Sequence, residues 1–124
     1  MFKTNKDLGL LILRVGASVL MLTHGYGKLL KLFNDPTDFG DPIGLGPVIS
    51  LILVVIGEFI APLFIIVGYK TKLASIPALI TMLVAAFIVH ANDPIGTKEK
   101  ALLYALCFLV IAFTGAGKYS IDKK

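Results

Sequence analysis

The chain has 124 residues, 56% of them hydrophobic and 16% charged, and a formal net charge of +4; its mean hydropathy is +0.86. Ordinary globular proteins carry about 25% charged residues, so too little polar surface remains for a water-facing exterior. A disordered chain and a nucleic-acid-binding module are excluded on the same grounds.

Four apolar runs follow in chain order, each close to the roughly 20 residues that a bilayer core demands. Residues 8–27 are interrupted only by Arg14 and residues 47–68 only by Glu58, while residues 73–92 and 101–117 carry no formal charge. A soluble bundle would show a charged face recurring every third or fourth residue, and none does. Runs such as LILVVI and FLVIAF do not alternate as barrel strands would. These features predict an all-α integral membrane four-helix bundle, a single domain over residues 1–124, with antiparallel up-down topology. Between the first two runs, HGYGKLLKLFNDPTDFGDPIGLG reads as a loop with a brief interfacial turn at LLKLF. Its Asp35, Asp38 and Asp41 lack the ligand spacing of a calcium loop and read as a solvated acidic stretch.

Four spans put both termini on one side. Lys3, Lys6, Lys70, Lys72, Lys118, Lys123 and Lys124 fall there, against Lys28, Lys31, Lys98 and Lys100 opposite. The positive-inside rule therefore predicts cytoplasmic termini in a multi-pass protein, and explains the basic charge without a polyanionic partner.

Charged groups within a span are functional or paired by default. Arg14 is the chain's one arginine, and by helix rise it lies about 6 Å in depth from Glu58, which an arginine side chain can bridge. An interior Arg14–Glu58 ion pair fixing helix register is one expectation. The other is a polar pocket, because Pro62 stands four residues after Glu58, deprives that carbonyl of its helical donor and should kink the helix. Near the outer face, His24 lies about 24 Å along the first span and His90 about 26 Å along the third. With Lys28 and Glu99 they form a candidate ligand-binding mouth, while Met82, Ala86 and His90 share one helical face leading to it. Two histidines without a third ligand point to no metal site. Cys107, the single cysteine, rules out a dithiol relay and a four-cysteine iron–sulfur cluster, and neither GYGK nor GAGK follows a strand as a flavin or nicotinamide fingerprint would.

The ordered set LRVG, HGYGK, GEFIAP, GYKTKLAS, FIVHAND, KEKALLY and GAGKYSIDK resembles the DoxX family over nearly the whole chain. The resemblance implies a small four-helix protein of the bacterial cytoplasmic (inner) membrane, serving as membrane subunit of an oxidoreductase complex. On that basis the bundle is expected to bind a quinone, with His24, Lys28, His90 and Glu99 at the head group, and to receive electrons from a soluble redox partner protein. Any catalytic role would be that of a non-autonomous subunit. Two alternatives stand beside it: a protein that binds or transports a lipid or small solute, and a non-catalytic membrane anchor for a soluble enzyme. Small residues such as Ala85, Ala86, Gly115 and Gly117 permit close helix contact in a homo-oligomer.

Overall fold

Four helices make up a computed structural model that describes residues 5–34 and 44–123. Helix α1 covers Lys6–Asn34, α2 Pro47–Val67, α3 Thr71–Val89 and α4 Ile95–Thr114, and the described residues form no strand. The first three are long and apolar enough to cross a membrane. Helix α4 has 20 residues but opens with IGTKEK, whose charges dilute its apolar stretch. The acidic stretch with Asp35, Asp38 and Asp41 lies outside the described residues, as do Lys3 and Lys124.

Helix α1 outruns its expected span. The turn expected at LLKLF is helical through Asn34, because leucine and lysine are good helix formers and no proline intervenes before Pro36. A charge ends an apolar run without ending a helix, and Lys28 consequently sits on α1, one turn beyond His24.

Helix α1 packs along α2, α2 against α3, α3 against α4, and α4 returns to α1. Met21, Ile65, Ala78, Met82, Phe108 and Ile111 form the core. The exterior is no more polar than this core: Leu73, Leu103 and Phe113 are 66%, 60% and 78% exposed, whereas Arg14, Ser18, Ser50, Glu58 and Ser75 are buried. Large apolar side chains outside and charged ones inside invert the pattern of a water-soluble protein, and suit helices that present their outer faces to lipid. Two glycines bring the first three helices together. A Cβ on Gly25 would collide with the Glu58 carbonyl, and one on Gly57 with the Thr81 hydroxyl, the use small residues commonly have at membrane helix crossings.

The segment after α4 folds back as a strap over the turn between α2 and α3. Ile121 N–H donates to the Val67 carbonyl at 3.2 Å and Asp122 N–H to that of Gly68 at 2.8 Å. The Asp122 carboxylate then accepts from the Lys70 and Thr71 amides, both at 2.9 Å, and from the Thr71 hydroxyl at 2.8 Å. This caps the start of α3, whose own N-cap residue, Lys70, supplies no side-chain bond. Gly68 permits the crossing, since it has φ 73° and a Cβ there would strike Ser120.

Candidate functional site

Two helices loosen, one at the buried Glu58 and one just before His90. In α2, residues Ile56–Ile60 form a π-helical turn containing Glu58, in which the Ala61 amide donates to the Ile56 carbonyl. Pro62 has no N–H to offer the Glu58 carbonyl, so the disturbance expected at Pro62 takes the form of a widened turn just before it. In α3, Ala85–Val89 forms a second π-helical turn, closed by the His90 amide on the Ala85 carbonyl at 3.0 Å. No proline accounts for this one. Single π turns within α-helices occur frequently at functional sites.

Both widened turns border one cavity of about 220 Å³, to which every helix contributes: Met21, His24 and Lys28 from α1, Glu58 from α2, Met82 and Ala85 from α3, and Thr97, Lys100, Ala101 and Tyr104 from α4, with His90 just past the end of α3. Spacings of four on α1 (24, 28) and of three and four on α4 (97, 100, 101, 104) put these side chains on single faces. The two methionines give it an apolar floor, and polar groups gather around them. Lys28 Nζ donates to both Glu58 carboxylate oxygens, at 2.8 and 2.6 Å. The Glu58 side chain is only 3% exposed, that of Lys28 36%, so the ammonium reaches inward from the mouth to a buried carboxylate. The His24 ring meets that of Tyr104 edge-on, centroids 5.8 Å apart. His90 Nδ1 lies 2.8 Å from an Asp93 carboxylate oxygen at the rim.

The expected Arg14–Glu58 pair is not formed. Arg14 donates instead to three backbone carbonyls, Ala116 at 2.9 Å, Tyr119 at 2.8 Å and Ile66 at 3.4 Å. Two of these lie in the non-helical strap and the third near the end of α2, where carbonyls lack intrahelical donors. The guanidinium fork serves several such acceptors at once. Glu58 takes Lys28 because Gly25, three residues earlier on α1, lies against the Glu58 backbone, leaving about 4.5 Å of helix rise for the lysine stem to cover.

Of the four residues expected at the mouth, His24, Lys28 and His90 share the cavity, whereas Glu99 is exposed and does not line it. One helical residue step turns a side chain by about 100°, so Lys100 occupies the inward face and Glu99 the outward one. Lys100, Thr97 and Tyr104 escaped sequence reasoning; their spacing on α4 was the available signal. Ala86, Gly115 and Gly117 are buried within the chain itself.

The arrangement offers a small head group two ammonium groups, Lys28 and Lys100, and two imidazoles beside a carboxylate that offsets part of the positive charge. Comparison with known proteins places the chain among membrane proteins. The DoxX family model matches residues 9–91. The inner membrane protein YqjF of Escherichia coli (strain K12) is 31% identical, over 98% of this chain and 95% of its own length. An uncharacterized protein of Haemophilus influenzae is 32% identical over 93% and 89%, and the E. coli inner membrane protein YphA 26% over the same shares. No solved structure gives a significant match.

Proposed function

Since the chain belongs to the DoxX family, we propose that it is the membrane subunit of a quinone-linked oxidoreductase, an antiparallel four-helix bundle that takes a quinone head in its polar cavity. The observation that carries this reading is the convergence of two π-helical turns, a half-buried ion pair and two histidines on one cavity with an apolar floor. Bound there, a quinone supplies reversible transfer of two electrons and two protons. Lys28 is held in place by Glu58 and directs its remaining N–H bond into the cavity. His24, whose ring makes no hydrogen bond among the described residues, donates to a quinone carbonyl or accepts from a quinol hydroxyl, and Tyr104 fixes its ring. At the rim, His90 with Asp93 stands where protons can exchange with water. Electrons come from a soluble redox partner.

The first turn of α1, the end of α2, the start of α3 and the strap meet at one end of the bundle, which supports the antiparallel arrangement. Lys6, Lys70, Lys72, Lys118 and Lys123 belong to that end, which we assign to the cytoplasm, in the inner membrane that the names of two relatives specify. A second reading, binding of a lipid or solute without redox chemistry, is favoured by Lys100, which lines the cavity without a carboxylate partner among the described residues and suits an anionic head group. Purification in mild detergent, with mass spectrometry of extracted lipids and of associated proteins, tests both. A bound quinone with a redox protein supports the first reading, an anionic lipid alone the second. Recovery of neither would reduce the chain to an anchor.

A further inference from the structure

A second hollow adjoins the polar cavity at Tyr104. On the other side of that residue and of Lys100, which line both spaces, this hollow of about 350 Å³ runs between α1 and α4 along Ile12, Ala17, Leu20, Leu103 and Cys107. Its walls are apolar apart from Lys100 at one end. From Leu20 back to Ile12 it follows about 12 Å of α1, and from Lys100 to Cys107 about 10 Å of α4, leading away from His24 toward the middle of the bilayer. Ile12, Leu20 and Leu103 are exposed on the outer surface, so the groove opens sideways to lipid. The hollows between α2 and α3, along Ile56 and Pro77, share no lining residue with the polar cavity.

We propose that the α1–α4 groove holds the isoprenoid tail of the quinone, which slides in laterally from the bilayer between these two helices. The inference rests on the reading of the polar cavity as a quinone head site, and adds where the rest of the molecule lies and how it arrives. Two considerations select this occupant. A polar cavity and an apolar groove that share Tyr104 and Lys100 match a ligand with one polar head and one apolar chain. A two-chain phospholipid would leave its second chain without a place. Tyr104 marks the junction, its ring edge-on to His24 on the head side and held from the core by stacking with the buried Phe108, centroids 6.5 Å apart. Lipid is as apolar as the groove, so the tail contributes through packing and placement of the head rather than through hydrophobic transfer.

The test titrates detergent-solubilised protein with a fully substituted benzoquinone bearing a ten-carbon tail, and with the same ring carrying a methyl group in place of the tail, here called tail-less, so that neither ligand alkylates Cys107. Leu103→Trp and, as a second obstruction, Ala17→Phe should each weaken the tailed ligand about fivefold, equivalent to about 1 kcal/mol, while leaving the tail-less ligand unaffected. Phe113→Trp, on an exposed position that lines neither space, is the control. Cys107, the native thiol in the groove wall, gives an independent readout in wild type: the tailed quinone should slow its alkylation by N-ethylmaleimide and the tail-less one should not. Unchanged tailed affinity in both variants, with Cys107 unprotected and the tail-less ring still bound, overturns the groove and leaves the head site standing. Failure of both ligands to bind wild type overturns the head site and the groove with it.

Discussion

Lys28→Met removes the partner of a carboxylate that is 3% exposed and leaves it buried without a counter-charge. Breaking a fully buried pair in this way costs about 3–5 kcal/mol. Lys28 itself is 36% exposed, so water already screens part of the attraction and the expected loss is about 2–3 kcal/mol. Glu58→Gln is the milder change. It keeps a hydrogen-bond acceptor for Lys28, and the released ammonium can extend toward the mouth on its flexible stem, so about 1 kcal/mol should be lost. The double variant should then be about as stable as Glu58→Gln alone, a coupling of about 2–3 kcal/mol across the cycle. Unfolding of the four detergent-solubilised proteins, followed by circular dichroism, measures each term. Additivity within about 0.5 kcal/mol, or a larger loss for Glu58→Gln than for Lys28→Met, would refute the argument that the carboxylate is the buried member and the lysine the adaptable one.

Arg14→Lys should fail to replace arginine, because one ammonium cannot reproduce the fork that serves Ala116, Tyr119 and Ile66; faster cleavage after Lys118 or Lys123 by a lysine-specific protease is the readout. Asp122→Ala strips the cap from α3 and should lower stability by about 1 kcal/mol, measured by thermal melting. Gly25→Leu drives a side chain into the Glu58 backbone and should reduce folded yield on size-exclusion chromatography, whereas Gly27→Ala, with open space around it, should not. For topology, Asn92→Cys should react with an impermeant thiol reagent on whole cells and Lys72→Cys should not, each in a chain with Cys107 replaced; the reverse pattern would invert the orientation.

The helices were legible because a bilayer demands length and apolarity, which can be read residue by residue. Their polar contacts were less so. Depth counted along separate spans put Arg14 near Glu58, but depth alone does not say which acceptors the rest of the chain brings to an arginine. The strap supplies carbonyls more than a hundred residues away, and its path over Gly68 follows from turn geometry rather than from any periodic pattern. Lys28 ends an apolar run and so reads as the start of a loop, yet the helix continues through it, and that continuation aims it at Glu58. His24 and His90 were found from matched depths. Depth alone places Glu99 at the mouth, whereas the helical angle decides which of two adjacent residues faces inward, and it is Lys100 that lines the cavity. The first π-helical turn had a signal in Pro62; the second, at Ala85–Val89, had none in the sequence.

The central claim is that the cavity beneath His24 and His90 receives a quinone head. Titration of wild type, His24→Leu and His90→Leu with a fully substituted benzoquinone, alongside thermal melting of each, addresses it most directly. Losing a hydrogen bond inside a largely apolar cavity costs about 1–3 kcal/mol, or roughly 5- to 150-fold in affinity. The account predicts a loss in that range for His24→Leu. A smaller loss is expected for His90→Leu, since His90 is 38% exposed and already pairs with Asp93, and both variants should melt close to wild type. Wild-type affinity in both would contradict it, and would assign the two histidines to anchoring at the membrane surface.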